Sequence, residues 1–580
     1  MEKHALKRLI RVASAAEPAD LLIRNCRIVN VFTHRVKEGD IAICDGVIAG
    51  IGRYPDGQRV YDAGGRYALP GLIDSHIHIE SSFLTPEQFG RVAVPHGTTT
   101  VIADPHEIVN VCGTMGLDYM LRAAERTALD VRYMIPSCVP CTEWEDSGAV
   151  VRAEQMRAYA RHPGVGGIGE MMDSVGVLSG DDVVLDKLIM ASEERIPVDG
   201  HAPSLDGSSL MGYLAAGIRT DHECGSIHQM RERLDGGMYV QLRYGSACRE
   251  LPMLLEGLDE YAARRCLLCS DDRQSVDLLT HGDIDDLLRV CVCCGVDPIT
   301  AVQMATLNAA ECYGLTDRGA IAPHRRADIV LADDLSDFHI TAVWIGGELV
   351  AEDGRYLLPL TREDPGPVAN SMHVADFSPE RLRLRLTSDR VHVIDVRPDT
   401  VVTGCGIARI DRDENGTLLY HALDDVARIS VIERHHHTGK VANALIRGYG
   451  IRRGAIALTV GHDSHNILVV GVSEDEMAFA VEQLIDQRGG IVVTLDHTVL
   501  ECLPLPIAGL MSDCPAEQVR DRLHRVERCA IEQLGVREAL DPIVTLCFMS
   551  LPVIPELKLT DRGLFDVTHQ RFLSIEAEEE

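Results

Sequence analysis

The stretch PGLIDSHIHIESS, residues 70–82, is the part of the sequence that says most about the fold. An apolar run that begins after Pro-Gly and ends in histidines is typical of a buried strand that runs into a loop. Residues two apart on a strand project to the same side, so His76 and His78 can present two imidazoles to one point. Taken alone, an H-x-H pair is equally consistent with two unrelated polar side chains. At the carboxyl end of a barrel strand, where such folds carry their sites, it predicts a metal site.

From about residue 66 to residue 320, apolar strand-like runs alternate with helix-like stretches. This alternation is typical of βαβ units and a parallel sheet. About eight units in roughly 250 residues predict a (β/α)8 TIM-type barrel, which we place at residues 69–320. The strand candidates that follow the opening stretch are residues 98–105, 132–140, 165–172, 196–203, 218–224, 239–246 and 266–272.

The regions on either side of the predicted barrel differ from it in pattern. Short β-type runs at 21–68 and 321–360 predict one small β-sandwich domain that the barrel splits. Residues 361–385 are predicted to be a linker, because they contain Pro and acidic residues without periodicity. Residues 1–20 predict a helical segment, and residues 386–580 predict an additional C-terminal α+β domain. The predicted fold class is therefore α/β, a TIM-type barrel with two accessory domains.

The composition excludes several classes of protein. The 56 Lys and Arg residues stand against 88 Asp and Glu residues, which gives a net charge of −32. This charge repels phosphate backbones and anionic lipid, so we expect no nucleic-acid partner and no membrane. The sequence has no apolar run of membrane-spanning length and no secretory start. The 18 Cys residues are irregularly spaced in a long chain, so we expect mostly free, buried thiols and a cytoplasmic location.

Four more residues of metal-ligand type follow apolar runs at later strand ends. Each one alone is more typical of a cap or a surface polar residue, but an ordered set is not expected by chance. With His76 and His78 they give four imidazoles and two carboxylates, more than one tetrahedral zinc ion needs. The set suits two divalent ions with a bridging carboxylate, and ligands without thiolate favour Mn, Fe or Zn. The four residues are Glu170, His201, His222 and Asp271.

The ordered His, His, Glu, His, His, Asp set and the run PGLIDSHIH resemble the amidohydrolase superfamily, and the resemblance is strongest to its bacterial adenine deaminase family. Many relatives bridge their metals with a modified lysine, and Glu170 matches that position. The matching runs extend into the predicted C-terminal domain, which most amidohydrolases lack. They are residues 78–82, 96–113, 169–173, 199–203, 270–273, 461–466 and 503–512.

This resemblance implies two divalent ions per subunit, with Mn(II) or Fe(II) favoured and Zn(II) as the alternative. It implies adenine as the substrate, hydrolysed at C6 to hypoxanthine and ammonia, and a homodimer or larger homo-oligomer. Asp271 matches the superfamily aspartate that moves the proton of the attacking water. A second acid must protonate N1 of the ring, and the candidates are Glu80, His106 and Glu107, with Asp104 equally well explained as a partner that orients a metal-bound histidine.

Two alternatives stay open. The same metal residues could serve an amidohydrolase that acts on another aminated heterocycle or a cyclic amide. A non-catalytic relative that uses the fold for assembly is the third hypothesis, and the complete ligand set argues against it.

Several further motifs carry no predicted chemistry. His435, His436 and His437 are expected in a solvated turn, and the Cys138–Cys141 pair and the Cys291-to-Cys294 group as buried thiols without a metal. His462 and His465 either line the active site from the C-terminal domain or cap a strand, and the sequence does not separate these alternatives.

Overall fold

The computed structural model describes residues 2–375, 377–398, 400–421 and 424–578. Eight parallel strands follow one another along the middle of the chain. We number them β1 (Leu72–Ile77), β2 (Thr98–Ala103), β3 (Asp130–Ile135), β4 (Val165–Met171), β5 (Val198–Gly200), β6 (Thr220–Asp221), β7 (Tyr239–Arg243) and β8 (Cys266–Cys269). They form a five-stranded sheet in the order β5-β4-β3-β2-β1 and a three-stranded sheet in the order β6-β7-β8.

Backbone hydrogen bonds connect the two parallel sheets at both of their edges. At one edge, the amide of Arg219 donates to the carbonyl of Val198 at 3.1 Å. At the other edge, the amide of Asp271 donates to the carbonyl of His76 at 2.9 Å. All eight strands run in the same direction, so their carboxyl ends open to the same side of the molecule.

Helices separate the parallel strands and cover them. Every residue of β1 and β2 is buried, as expected for parallel strands that helices cover, and this explains their continuous apolar runs. The α-helices of this region are Pro86–Ala93, His106–Cys112, Thr114–Ala124, Ala153–Tyr159, Ser174–Ser179, Asp182–Glu194, Gly207–Ala215, Ile227–Asp235, Leu251–Leu255, Ser275–Thr280, Ile284–Cys293, Pro298–Met304 and Leu307–Cys312.

A nine-stranded sheet combines strands from both sides of the parallel region. Its central pair joins Tyr67–Pro70 to Ile329–Ala332 in antiparallel register, so one sheet contains both halves of the predicted split domain. The amino-terminal helix Lys3–Ala13 buries Leu9 and Val12 in a small apolar cluster with this sheet. The strands, in sheet order, are Arg355–Tyr356, Glu348–Glu352, Ile340–Ile345, Ile329–Ala332, Tyr67–Pro70, Ala19–Asn30, Arg35–Cys44 and Val47–Gly52, with Gly57–Asp62 paired to Ala19–Asn30.

The carboxyl-terminal region is built on an eight-stranded sheet. Its order is Gly404–Arg409, Arg390–Asp395, Val441–Arg447, Val426–Ile432, Ile467–Gly471, Ala455–Leu458, Gly490–Leu495 and Thr498–Pro504. Helix Glu474–Asp486 packs on this sheet. Ser473 is its N-cap, and the hydroxyl of Ser473 accepts from the amide of Glu476. The remaining elements among the described residues are the strands Asp411–Arg412, Leu418–Leu419, Leu557–Thr560, Gly563–Asp566 and Arg571–Phe572, the helices Ala516–Cys529 and Pro542–Cys547, and the π-helical segment Ala530–Leu534.

The observed elements agree with the predicted alternation but are shorter than the apolar runs suggested. Strand β5 has three residues and β6 has two, because the chain leaves each strand at the polar residue that faces the site. Residues 361–385 contain two short 3₁₀ turns, Gly366–Val368 and Pro379–Leu382. Among the described residues, every helix falls short of the length and apolar character that crossing a bilayer requires.

Candidate metal centre

Strand β1 delivers two imidazoles to the carboxyl side of the parallel sheets. His76 lies in the strand and is fully buried, and His78 follows it at the strand end. The Nδ1 of His78 is 2.9 Å from the backbone carbonyl of Asp104. Because that carbonyl can only accept, Nδ1 carries the proton, and the Nε2 of His78 presents its lone pair to the site.

Glu170, at the end of β4, faces two sets of imidazoles with its two oxygens. Its Oε1 lies 3.3 Å from the Nε2 of His78. Its Oε2 lies 2.7 Å from the Nδ1 of His201 and 3.2 Å from the Nε2 of His222. One carboxylate therefore lies between two groups of donors, as a ligand shared by two cations would.

Asp271 lies two residues after the end of β8 and faces the imidazoles of His76 and His78. Its Oδ1 lies 3.5 Å from the Nε2 of His76 and 3.2 Å from the Nε2 of His78. The imidazole of His76 stacks on that of His222 with ring centroids 4.2 Å apart. Three triads, His76–His78–Glu170, His76–His222–Asp271 and Glu170–His201–His222, each hold their donor atoms within 4.8 Å of one another. The structure thus gathers all six predicted metal residues at one place.

Several buried imidazole nitrogens of this cluster have no hydrogen-bond partner among the described residues. They are both nitrogens of His76, the Nε2 of His201 and the Nδ1 of His222. A buried, unsatisfied polar atom costs about 1–3 kcal/mol, and a bound cation would satisfy several of these nitrogens at once. The donor set and its orphaned atoms therefore fit divalent metal ions.

Both carboxylates of the cluster are held in the ionised form. Burial by itself raises the pKa of Glu170, but the imidazoles of His201 and His222 outweigh burial and hold it well below its usual range. Burial likewise opposes ionisation of Asp271, yet His76, His78 and Arg243 bring its pKa well below its usual range. An ionised carboxylate is the form that binds a metal and accepts a proton.

Arg243, the last residue of β7, was not singled out from the sequence. It is buried, and its Nη1 donates to the Oδ2 of Asp271 at 2.9 Å and pairs with Glu223. This leaves the Oδ1 of Asp271 directed at the imidazoles. The signal was available, because Arg243 follows the apolar residues within the predicted strand at 239–246 and Glu223 directly follows His222.

The candidates for the second acid occupy different depths. His106 lines the cavity in front of the metal residues, and its Nδ1 lies 3.4 Å from the Oε1 of Glu170. Glu107 is fully buried and accepts from the hydroxyl of Ser81 at 2.8 Å. Glu80 accepts from the amide of Ile108 at 3.3 Å, and burial together with the charge of Glu107 raises the pKa of Glu80 to about 8. His106 alone of these three belongs to the cavity lining.

Asp104 supports the centre without lining the cavity. Its carbonyl holds His78, as described above, and its Oδ2 accepts from the amide of Glu170 at 2.9 Å. Asp104 therefore orients His78 at the end of β1 and Glu170 at the end of β4. These contacts are those of a residue that orients metal ligands, the alternative to a role in proton transfer.

The carboxyl-terminal region closes the same cavity from above. Asp463 places its Oδ1 3.6 Å from the Nε2 of His106, and the Nδ1 of His462 lies 3.5 Å from the Oε1 of Glu107. Burial lowers the pKa of His106, but the carboxylate of Asp463 outweighs it and raises that pKa well above its usual range. The lining residues from this region, which form the roof or upper wall of the cavity, are Val401, His462, Asp463, Phe548, Leu551 and Ile554.

His462 and His465 differ in their positions. His462 lines the cavity, whereas His465 is fully buried behind it with ring centroids 5.6 Å apart. The sequence left both residues open.

The expectation for the histidine run was wrong in part. His435 is buried rather than solvated, and its Nε2 is 2.7 Å from the carbonyl of Ser464, while His437 lies in a turn with positive φ. The thiols of Cys138 and Cys141 are buried, and none of the described cysteines forms a disulfide. The expectation for the Cys291-to-Cys294 group was wrong in part, because Cys291 is buried whereas Cys293 and Cys294 are exposed.

Comparisons with known proteins follow the same division of the chain. Residues 67–350 match the model of the Amidohydrolase family, and residues 400–571 match that of the Adenine deaminase C-terminal domain. Adenine deaminase 2 of Desulfotalea psychrophila is 53% identical over 577 residues, covering 100% of both chains. Adenine deaminase of Ligilactobacillus salivarius is 46% identical over 576 residues, covering 99% of this chain and 100% of that protein. A solved amidohydrolase structure covers 57% of this chain and 99% of its own, at 17% identity and a TM-score of 0.43.

Proposed function

The chain belongs to the adenine deaminase family of the amidohydrolases, and we propose that it hydrolyses adenine to hypoxanthine and ammonia at the cavity above the parallel strands. Two curated adenine deaminases that are 53% and 46% identical to this chain over nearly its full length support this reaction. The observation that carries the site is the carboxylate of Glu170, which turns one oxygen to His78 and the other to His201 and His222.

We propose that the two parallel sheets close into one (β/α)8 barrel at residues 69–320. The hydrogen bonds from Arg219 to Val198 and from Asp271 to His76 support closure at both seams. The remaining regions, 21–68 with 321–360 and 386–580, are then accessory domains, and the second of them roofs the active site.

The residues present fit two divalent cations. His76, His78 and Asp271 would hold one ion, His201 and His222 the other, and Glu170 would bridge them. Mn(II) or Fe(II) suits this imidazole and carboxylate set, with Zn(II) as the alternative. Among the described residues, Cys248 is the thiol that lines the cavity, and burial raises its pKa well above the usual value. It is therefore kept neutral and competes poorly as a ligand.

When bound, the cations supply a hydroxide nucleophile near neutral pH by lowering the pKa of water. Asp271 accepts the proton that the water gives up as the new C6–O bond forms. The same carboxyl group then donates this proton to the amino group, which leaves as ammonia when the C6–N bond breaks. Arg243 holds the other oxygen of Asp271 and fixes the direction in which the proton moves.

The ring nitrogen N1 needs a proton as the purine loses aromaticity. We propose His106 for this step, because it faces the cavity and the carboxylate of Asp463 raises its pKa well above the usual value. As ammonia leaves and the C6 carbonyl forms, the proton of the C6 hydroxyl returns to His106, so the two protons of the water end on N1 and on ammonia. Glu107 lies behind the cavity and contacts Ser81 and His462, so it supports the lining rather than touching the substrate. Glu80 is also buried and lies outside the cavity lining, so it does not face the substrate either.

The test is the loss of adenine absorbance with the Mn(II)-loaded enzyme, with cytosine, guanine, adenosine and dihydroorotate as comparators. Adenine alone should be turned over at a substantial rate. Metal-loaded enzyme that ignores adenine but hydrolyses another heterocycle would replace the proposal with the wider amidohydrolase alternative. A homodimer or larger homo-oligomer stays a prediction for sedimentation or light scattering.

A further inference from the structure

Lys558 lies in the strand Leu557–Thr560 of the carboxyl-terminal region, outside the metal centre. Its side chain is fully buried. Its Nζ donates to the backbone carbonyl of Val401 and to that of Phe548, each at 2.9 Å. These two carbonyls come from segments that are far apart in sequence, so one amino group connects them.

The lysine makes these contacts without a carboxylate partner among the described ion pairs. Burial is the one cause that shifts its pKa, which it lowers to about 7. Placing an amine in an apolar interior is unfavourable unless its hydrogen bonds are made, and an aliphatic side chain of similar length would avoid this cost. The position therefore serves the two carbonyls it holds.

Both connected segments form the roof of the substrate cavity. Val401 and Phe548 line it directly. The ring of Phe548 stacks on the imidazole of His462, with centroids 4.4 Å apart and an angle of 17° between the planes. These two rings also line a second small cavity that contains Ser81 and Asp272, so the stack forms the partition between the two spaces.

Other hydrogen bonds attach the roof to the same strand. The amide of Leu559 donates to the carbonyl of Met549 at 3.0 Å, and the hydroxyl of Thr403 donates to the carbonyl of Leu557 at 2.7 Å. The amide of His462 donates to the carbonyl of Cys547 at 2.9 Å. The strand and the roof are thus joined by several hydrogen bonds, and the side chain of Lys558 contributes the two to Val401 and Phe548.

We propose that Lys558 is a positioning residue for substrate binding: it fixes the backbone of Phe548 and Val401 and so holds the Phe548–His462 stack where it contacts a planar purine. Lys558 touches neither the substrate nor the metal residues. This inference rests on the proposed function, because adenine binding is what it explains.

The test is the variant Lys558→Met, which keeps the length of the side chain and removes both donors. Loss of these two hydrogen bonds should raise the KM for adenine about tenfold and change kcat less than threefold. The inhibition constant of the product hypoxanthine should rise in parallel, and metal content should stay at the wild-type level.

A double-mutant cycle separates positioning from general destabilisation. If Lys558 acts through the aromatic ring, Lys558→Met should add little to the KM of Phe548→Ala, since coupled residues give non-additive effects. Leu559→Ala is the matched control, because it lies next to Lys558, is equally buried and projects to the opposite face. It should lower Tm and leave KM unchanged.

Lys558→Gln keeps two N–H donors on a shorter side chain and should recover part of the lost affinity. If the Met variant does not fold, the KM of Lys558→Gln for adenine is compared directly with that of the wild type, and it should lie above the wild-type value. An unchanged KM in a folded Lys558→Met enzyme, or additive effects in the cycle, overturns the proposal. A wild-type enzyme without adenine turnover overturns the proposed function instead.

Discussion

The two walls of the active-site cavity differ in chemistry and in origin. The lower wall comes from the ends of the parallel strands and consists of imidazoles, carboxylates and Arg243. The upper wall comes from the carboxyl-terminal region and is largely apolar, with Phe548, Leu551 and Ile554 beside His462. A polar wall on rigid strand ends can hold cations and move protons, whereas an apolar roof can hold a planar base. Changes to the lower wall should therefore lower kcat, and changes to the apolar side chains of the upper wall should raise KM.

The largest expected effect on turnover is for the two histidines that β1 contributes to the metal centre. The double variant His76→Ala plus His78→Ala removes two imidazoles of the centre, and we expect loss of both metals and of all measurable turnover. Metal analysis of the purified protein measures the first outcome, and adenine absorbance the second. The control is His228→Ala plus His339→Ala, since both side chains are exposed. A double variant of the centre with full metal content would disprove the assignment.

Asp271→Ala sharpens the comparison within the lower wall. Loss of the group that moves the proton should lower kcat by about 10²–10⁴-fold, the usual contribution of acid–base catalysis. Circular dichroism and Tm check that the fold is retained, and steady-state kinetics measure kcat and KM separately. Turnover near the wild-type value in this variant would remove Asp271 from the mechanism.

A smaller effect is expected for Arg243, which acts through Asp271. A charged hydrogen bond contributes about 1.5–3 kcal/mol, so Arg243→Met should lower kcat by roughly 10–100-fold with metal retained. The matched control is Arg273→Met, another buried arginine near β8, which bonds to the carbonyls of Gly282 and Tyr244 and to the carboxylate of Asp286 rather than to Asp271. If Arg243→Met raised KM and spared kcat, Arg243 would be a binding residue and the division between the walls would fail there.

The lower wall was predictable from sequence because strand geometry determines it. A polar residue that ends an apolar run in a parallel sheet reaches the carboxyl side, so His76, His78, Glu170, His201, His222 and Asp271 were found by position. Strand geometry alone does not predict that Glu170 faces both groups of imidazoles, because this depends on the direction of each oxygen; that expectation came from the resemblance, in which Glu170 matches the bridging position. Arg243 fits the same positional rule and was missed because arginine is not a metal ligand.

The upper wall was not predictable in the same way. Phe548 and Lys558 carry no motif, and their role depends on long-range contacts between residues 401, 462 and 548 that no local pattern records. The sequence indicated a further domain and left His462 open. His435 illustrates the reverse error, since a polar run suggested solvent and tertiary packing buried it.

The last prediction concerns how the stability of the wild type and of Lys558→Met depends on pH. The pKa of Lys558 is about 7 in the folded chain against 10.5 for a free lysine, so between these values the unfolded chain binds more protons. The free energy of unfolding of the wild type should therefore rise with pH from about 7 to about 10, by roughly 4 kcal/mol at about 1.36 kcal/mol per pKa unit. Lys558→Met lacks this contribution, so the Tm of the variant relative to wild type should be highest near pH 7 and fall steadily towards pH 10. Leu559→Ala should show a constant difference over the same range. A constant difference for Lys558→Met as well would mean that the amine stays charged in the fold, and the roof would then be held by an ammonium rather than a neutral amine.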